Sequence, residues 1–90
     1  MTKYTLYVGS DNKTHKLDKD MIKGIVRAYF SGFTIRYSKG AWKETEEDTA
    51  EVDIVTNEDK QVYSLCDKLK EILNQEEIML ERHQSIVAFV

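Results

Sequence analysis

The chain contains no proline. No turn is set by a pyrrolidine ring, so chain reversals fall to Gly, Asn, Asp and Ser. Its one cysteine, Cys66, excludes an intrachain disulfide and any zinc site built on several thiolates. Histidine is almost as scarce. His15 and His83 stand far apart, with no helical pair of ligands near either, so each is expected to have a surface or packing role rather than to bind a metal. No GK[ST] pattern follows Gly9-Ser10, which rules out a phosphate-cradling P-loop, and no serine sits in a nucleophile-elbow context. No apolar run approaches the roughly 20 residues that span a bilayer; the longest, residues 86–90, has the length of a strand. Residues 1–4 lead straight into a strand-like pattern with no signal-peptide core. These absences predict a cytoplasmic protein with no membrane association, no assigned catalytic residue, no metal and no cofactor.

The 90 residues suffice for one domain and are too few for two. Hydrophobic residues at 41% and charged residues at 32% make a globular rather than a disordered balance. A domain this small needs most of its strongly apolar positions for folding. Few remain to line a deep cavity.

Residues 4–8 alternate, with Tyr4, Leu6 and Val8 on one side and Thr5 and Tyr7 on the other, the period of a strand. A turn-rich stretch follows at 9–13. Asp18 suits the N-cap of a first helix, with Leu17 as a staple residue before it. Met21, Ile22, Ile25, Val26, Tyr29 and Phe30 form that helix's apolar stripe. Ser31-Gly32 is expected to end it, with Gly32 in a left-handed conformation. Residues 33–38 alternate again, turning Phe33, Ile35 and Tyr37 inward, and residues 39–48 read as a polar connection. Ala50, Val52 and Ile54 mark a third strand that forms a hairpin with the second. Thr56 or Asn57 would cap a second helix whose stripe is Val62, Leu65, Cys66, Leu69, Ile72 and Leu73 and which ends at Asn74. Residues 78–81 read as a fourth strand, interrupted at His83-Gln84-Ser85, and residues 86–90 as its continuation or a fifth. The order β-α-β-β-α-β predicts an α+β protein of the ferredoxin-like type, one domain over 1–90, with two helices on one face of an antiparallel sheet.

Charge is divided unevenly. Residues 1–43 carry a formal +6 and residues 44–90 a formal −9. Lys19, Lys23 and Arg27 recur every four residues on the first helix and share a face, which Lys16 extends. A solvated face paired with acids is the ordinary explanation. The functional one is a basic stripe that, with Arg36, binds an anion. Glu44, Glu46, Glu47 and Asp48 cluster between the second and third strands, beside Trp42. Trp42 reads either as a lid on the sheet edge or as an interface anchor, since Trp is enriched at binding hot spots. Cys66 lies in an apolar stripe and reads as a buried thiol. Gly24 costs stability inside a helix and would let a helix or a partner approach closely. The helix-free face of the sheet is expected to hold Thr5, Tyr7, Thr34, Arg36, Ser38, Glu51, Asp53, Val55, Met79 and Glu81. With Tyr7 nearly alone there, RNA recognition through paired aromatics is not expected.

The runs Gly32-Phe33-Thr34-Ile35 and Gly40-Ala41-Trp42-Lys43, the acids that follow, and Glu51-Val52-Asp53-Ile54-Val55 resemble small ferredoxin-like proteins of phages, prophages and mobile elements. Asn74-Gln75-Glu76 is similar to the exit of their second helix. The resemblance implies no active-site roles. It implies a binder of a host or partner protein, such as an inhibitor of host defence machinery, acting in the host cytoplasm. The reading of the residues adds that this binder is non-enzymatic and uses Trp42, the acidic cluster and the second helix, and that the open sheet face can carry a homodimer interface. The alternative is a small-ligand or nucleotide-binding domain, or a minor nuclease, that uses the sheet face and the basic helix. Nucleic-acid binding through the first helix is disfavoured by the net charge of −3.

Overall fold

The computed structural model of the protein describes residues 1–84 and 87–90, and of Trp42 the backbone alone. Its elements are β1 (Thr2–Val8), α1 (Lys19–Tyr29), β2 (Thr34–Trp42), β3 (Thr45–Thr56), α2 (Asp59–Leu73) and β4 (Met79–Gln84). The strands form one antiparallel sheet in the order β2-β3-β1-β4, so β1 and β3 are central and β2 and β4 are edges.

Alternation decides the two faces of the sheet. Tyr4, Leu6 and Val8 pair with Ile54, Val52 and Ala50, and all six are buried beneath the helices. Ile22, Val26 and Phe30 of α1 and Val62, Leu65, Cys66, Leu69 and Leu73 of α2 close the core over them. Both expected stripes therefore face the sheet, while their outer members Met21 and Ile72 stay exposed. Leu17 packs at the edge of this core, as a staple residue would. The helices are tied to each other where Gln61 Nε2 donates to the Tyr29 carbonyl. Tyr4 reaches out of the core to donate its phenol to Asp59 at the start of α2, and Arg82 of β4 approaches the same carboxylate.

The helix ends follow local chemistry. The Asp18 carboxylate accepts from the Met21 backbone N–H at 3.0 Å and caps α1 as its spacing suggests. Asn74 ends α2 in the left-handed conformation, φ 53° and ψ 38°.

Four expectations need correction. Residues 39–48 are not a connection: β2 and β3 continue as a hairpin arm in unbroken register as far as Trp42↔Thr45. Lys43 and Glu44 alone make the turn, with Lys43 at φ 58°, the positive dihedral that tight hairpin turns require. The β2–β3 ladder carries the arm, and the exposed Lys39–Asp48 pair complements it across the strands. Gly32 is not left-handed; α1 ends in an extended Phe30, φ −139°, which leads directly into β2. The second helix begins later than Thr56 or Asn57, at Asp59. Thr56 Oγ1 accepts the Glu58 N–H at 3.0 Å, and Glu58, the N-cap, makes no side-chain cap bond. His83 and Gln84 do not interrupt β4. They pair with Lys3 and Thr2 at its end. Ser85 and Ile86 lie outside the described residues, and residues 87–90 have no regular structure.

Candidate functional site

The sheet face turned away from the helices is polar, and its side chains are joined to one another. On central β1, Lys3, Thr5 and Tyr7 point to this face. Asp53 and Glu51 stand opposite Thr5 and Tyr7 on β3, and Thr34 and Arg36 stand beyond them on β2. Glu81 of β4 completes the row on the other side of Thr5.

Asp53 is the hub. Its carboxylate accepts from Thr5 Oγ1 at 2.6 Å and from the Arg36 guanidinium, and Lys3 Nζ lies 3.9 Å away. Asp53 and Thr5 are buried although no helix covers them; the longer side chains around them exclude water. Burial pushes the Asp53 carboxyl up, but the hydrogen bonds from Thr5 and Arg36 and the charges of Lys3 and Arg36 outweigh it. The carboxyl is held below the usual carboxylate range. Arg36 also lies 3.9 Å from Glu51, which accepts from Ser38 Oγ at 2.8 Å.

Tyr7 is the aromatic centre of the face. Its phenol donates to Glu81, whose other oxygen lies 3.0 Å from His83 Nε2. The hydrogen bond to Glu81, burial, and the charges of Glu81, Glu51 and Asp53 push the phenol up to about 12. The same hydrogen bond, reinforced by His83, holds the Glu81 carboxyl below its ordinary value. The result is a neutral donor surrounded by three anionic carboxylates, with Arg36 as a cation at their margin. Among the described residues, no three His, Cys, Asp or Glu side chains gather to hold a metal ion.

The sequence-derived candidates are not all brought together. Lys19 and Arg27 lie on the helix side of the sheet. Lys19 Nζ stands 4.5 Å from the Tyr37 ring centroid, and the Arg27 guanidinium 5.7 Å from that of Phe33. Lys23 is exposed between them along α1. Arg36 is on the opposite face, held by Asp53 and Glu51, so it does not join that row. Glu44, Glu46 and Asp48 are exposed on the hairpin arm. Glu47 is half-buried against Gly9, where an added Cβ would come within 2.7 Å of Glu47 Oε1. Trp42 ends β2, and its side chain lies outside the described residues. Cys66 is buried, and burial pushes its thiol up, away from nucleophilic character. The sequence reading missed the Lys3–Asp53 and Glu81–His83 contacts. The signal for the first is the β1–β3 register, which sets Lys3 diagonally across from Asp53; the signal for the second is the two-residue spacing of Glu81 and His83 on one strand, which puts them on one face.

No protein-family model matches the chain, and no curated protein matches it. Solved structures do. A phage SAM lyase in its apo state superposes with a TM-score of 0.72 at 19% identity, covering 91% of this chain and 78% of that one. A DUF3240 family protein from Shewanella baltica superposes with a TM-score of 0.61 at 14% identity, covering 99% and 94%. The divalent ion tolerance protein CutA1 from Ehrlichia chaffeensis does so with a TM-score of 0.54 at 14% identity, covering 97% and 84%. No helix among the described residues is long and apolar enough to cross a membrane. With its β-α-β-β-α-β order and its β2-β3-β1-β4 sheet, the chain is an α+β protein of ferredoxin-like fold.

Proposed function

We propose that the chain is a small-ligand protein that works through the open face of its sheet, and that its ligand is S-adenosylmethionine or a close relative. The observation that carries this reading is the pair of carboxylates, Glu51 and Glu81, that remain part-exposed on either side of Tyr7, with Arg36 beside Glu51. A sulfonium and an ammonium group meet anions there, the adenine meets the Tyr7 ring, and the ligand carboxylate meets Arg36. The fold likeness to a phage SAM lyase supports the choice of ligand.

Thermal unfolding with S-adenosylmethionine, adenosine, ATP and cyclic nucleotides tests it. A ligand at a hundred times its Kd adds about 2.7 kcal/mol, which for a domain of this size raises the Tm by about 10 °C or more. S-adenosylmethionine is expected to give that rise, and Arg36→Ala to reduce it. Chromatography of the same mixtures reads turnover as loss of the compound. A flat response to S-adenosylmethionine, with the compound recovered intact, would sink the reading.

The hairpin arm favours a second reading. Glu44 and Glu46 are exposed at its tip, as a surface that docks a basic partner requires. On this reading the chain binds a host or partner protein, in the manner of a phage inhibitor of defence machinery. Tagged protein should then capture a partner from host lysate, and Glu44→Lys with Glu46→Lys should abolish the capture. Undiminished capture would remove the arm from the interface.

A further inference from the structure

We infer that β2 is a self-association edge, through which two copies of the chain pair about a two-fold axis into one continuous sheet. The inference goes beyond the ligand reading and does not depend on it.

β2 is nine residues long, and its outer edge meets no other strand among the described residues. An exposed edge is a ready template for another strand, and proteins blunt it with proline, bulges, short length or unpaired charges. None of these devices is present. The chain has no proline, and the β2 register with β3 runs without a skipped residue from Thr34↔Asp53 to Trp42↔Thr45. Both charges on the strand are engaged within the chain, Arg36 with Asp53 and Lys39 with Asp48.

Charge and register select the occupant. A two-fold axis perpendicular to the sheet keeps the helices of both copies on one side, so residues that meet must share a face, and the pairing centres on a residue. Centred on Ser38, it uses all nine residues of β2: Arg36 meets Gly40, Tyr37 meets Lys39, Ile35 meets Ala41, and Thr34 meets Trp42. No like charges face each other. Gly40 brings no side chain of its own to that meeting; the Thr49 hydroxyl lies over it, where an added Cβ would come within 2.6 Å. Moving the centre to Lys39 sets two cations opposite each other. The other edge, β4, does not offer the same match. Centred on Glu81 or on Arg82, its two-fold pairing brings like charges together.

Sedimentation and light scattering on the unmodified chain test the proposal. The expected mass is twice the 10.5 kDa of the chain, with amides of residues 34–42 gaining protection from hydrogen exchange as concentration rises. Ser38→Cys should oxidise to a disulfide-linked dimer within the assembled state, because residue 38 meets its own copy. Cys66 is buried, so position 38 supplies the reactive thiol. Thr34→Cys, which faces residue 42, should remain reduced. A monomer at every concentration overturns the inference, as does a trimer or a dimer whose β2 amides stay unprotected. The exchange measurement needs no variant, and none of these readings uses a ligand, so failure here is distinguishable from failure of the ligand reading.

Discussion

Tyr7 stands on a central strand with carboxylates on both neighbouring strands, and its raised phenol links the site to stability. Between its ordinary value near 10 and its folded value of about 12, the folded chain keeps the proton and the unfolded chain releases it. Stability from Tyr7 is therefore complete below pH 10 and is lost as pH rises toward 12. Tyr4 is raised as well, by its hydrogen bond to Asp59, so Tyr7→Phe removes only the share of Tyr7. Denaturant midpoints followed by circular dichroism should fall less steeply from pH 10 to 12 in Tyr7→Phe than in the parent chain. Equal slopes would mean that the Tyr7–Glu81 bond is absent in solution. Gly24 offers a second single-residue test. It lies inside α1 with nothing within 4 Å of where a Cβ would be, so the close approach it would allow is not used within the chain. Gly24→Ala should stabilise by about 0.5–1 kcal/mol. A loss of stability in urea titrations would show that something docks there.

At the scale of elements, the two helices differ in how they start. Asp18 caps α1 with its own carboxylate, whereas Glu58 gives α2 no side-chain bond. Asp18→Ala should cost about 1 kcal/mol, and Glu58→Asp should add about 0.5–1 kcal/mol, both read as shifts in chemical-denaturation midpoint. A neutral Glu58→Asp would mean that Thr56, which already accepts the Glu58 N–H, closes that end sufficiently. The strand and helix pattern was legible wherever apolar residues recur: the Tyr4-Leu6-Val8 alternation and the Val62–Leu73 stripe led directly to the core. The hairpin arm was not legible, because polar residues 39–48 conceal a strand ladder and a two-residue turn. The open face was legible in part. Period-two spacing put Thr5, Tyr7, Arg36, Glu51, Asp53 and Glu81 there, but which of them touch is decided by the sheet order, which brings Tyr7 to Glu81 from far along the chain.

Across the whole molecule, the opposite charges of the two sequence halves meet across the sheet. The basic first half supplies Lys3, Arg36 and Lys39, and the acidic second half supplies the carboxylates that hold them. Asp53, Glu81 and Asp48 are all held below their ordinary values. Each therefore adds stability that is present above the unfolded carboxylate range and is lost as pH falls through the lower, folded values. Unfolding free energy should decline below about pH 4–5. Asp53→Asn should be less stable by about 1–3 kcal/mol at pH 7, with a flatter acid limb; an unchanged limb would remove Asp53 as the hub. The sheet order also sets a timetable for synthesis. β1 is made first, yet both of its neighbours, β3 and β4, are made after it. At about 5–20 residues per second, a ribosome needs roughly 4–15 s to travel from Val8 to Gln84. Until Thr56 has been made the nascent β1 has two bare edges, and one edge stays bare until β4 follows, which makes β1 the segment that a chaperone or a neighbouring nascent chain meets first.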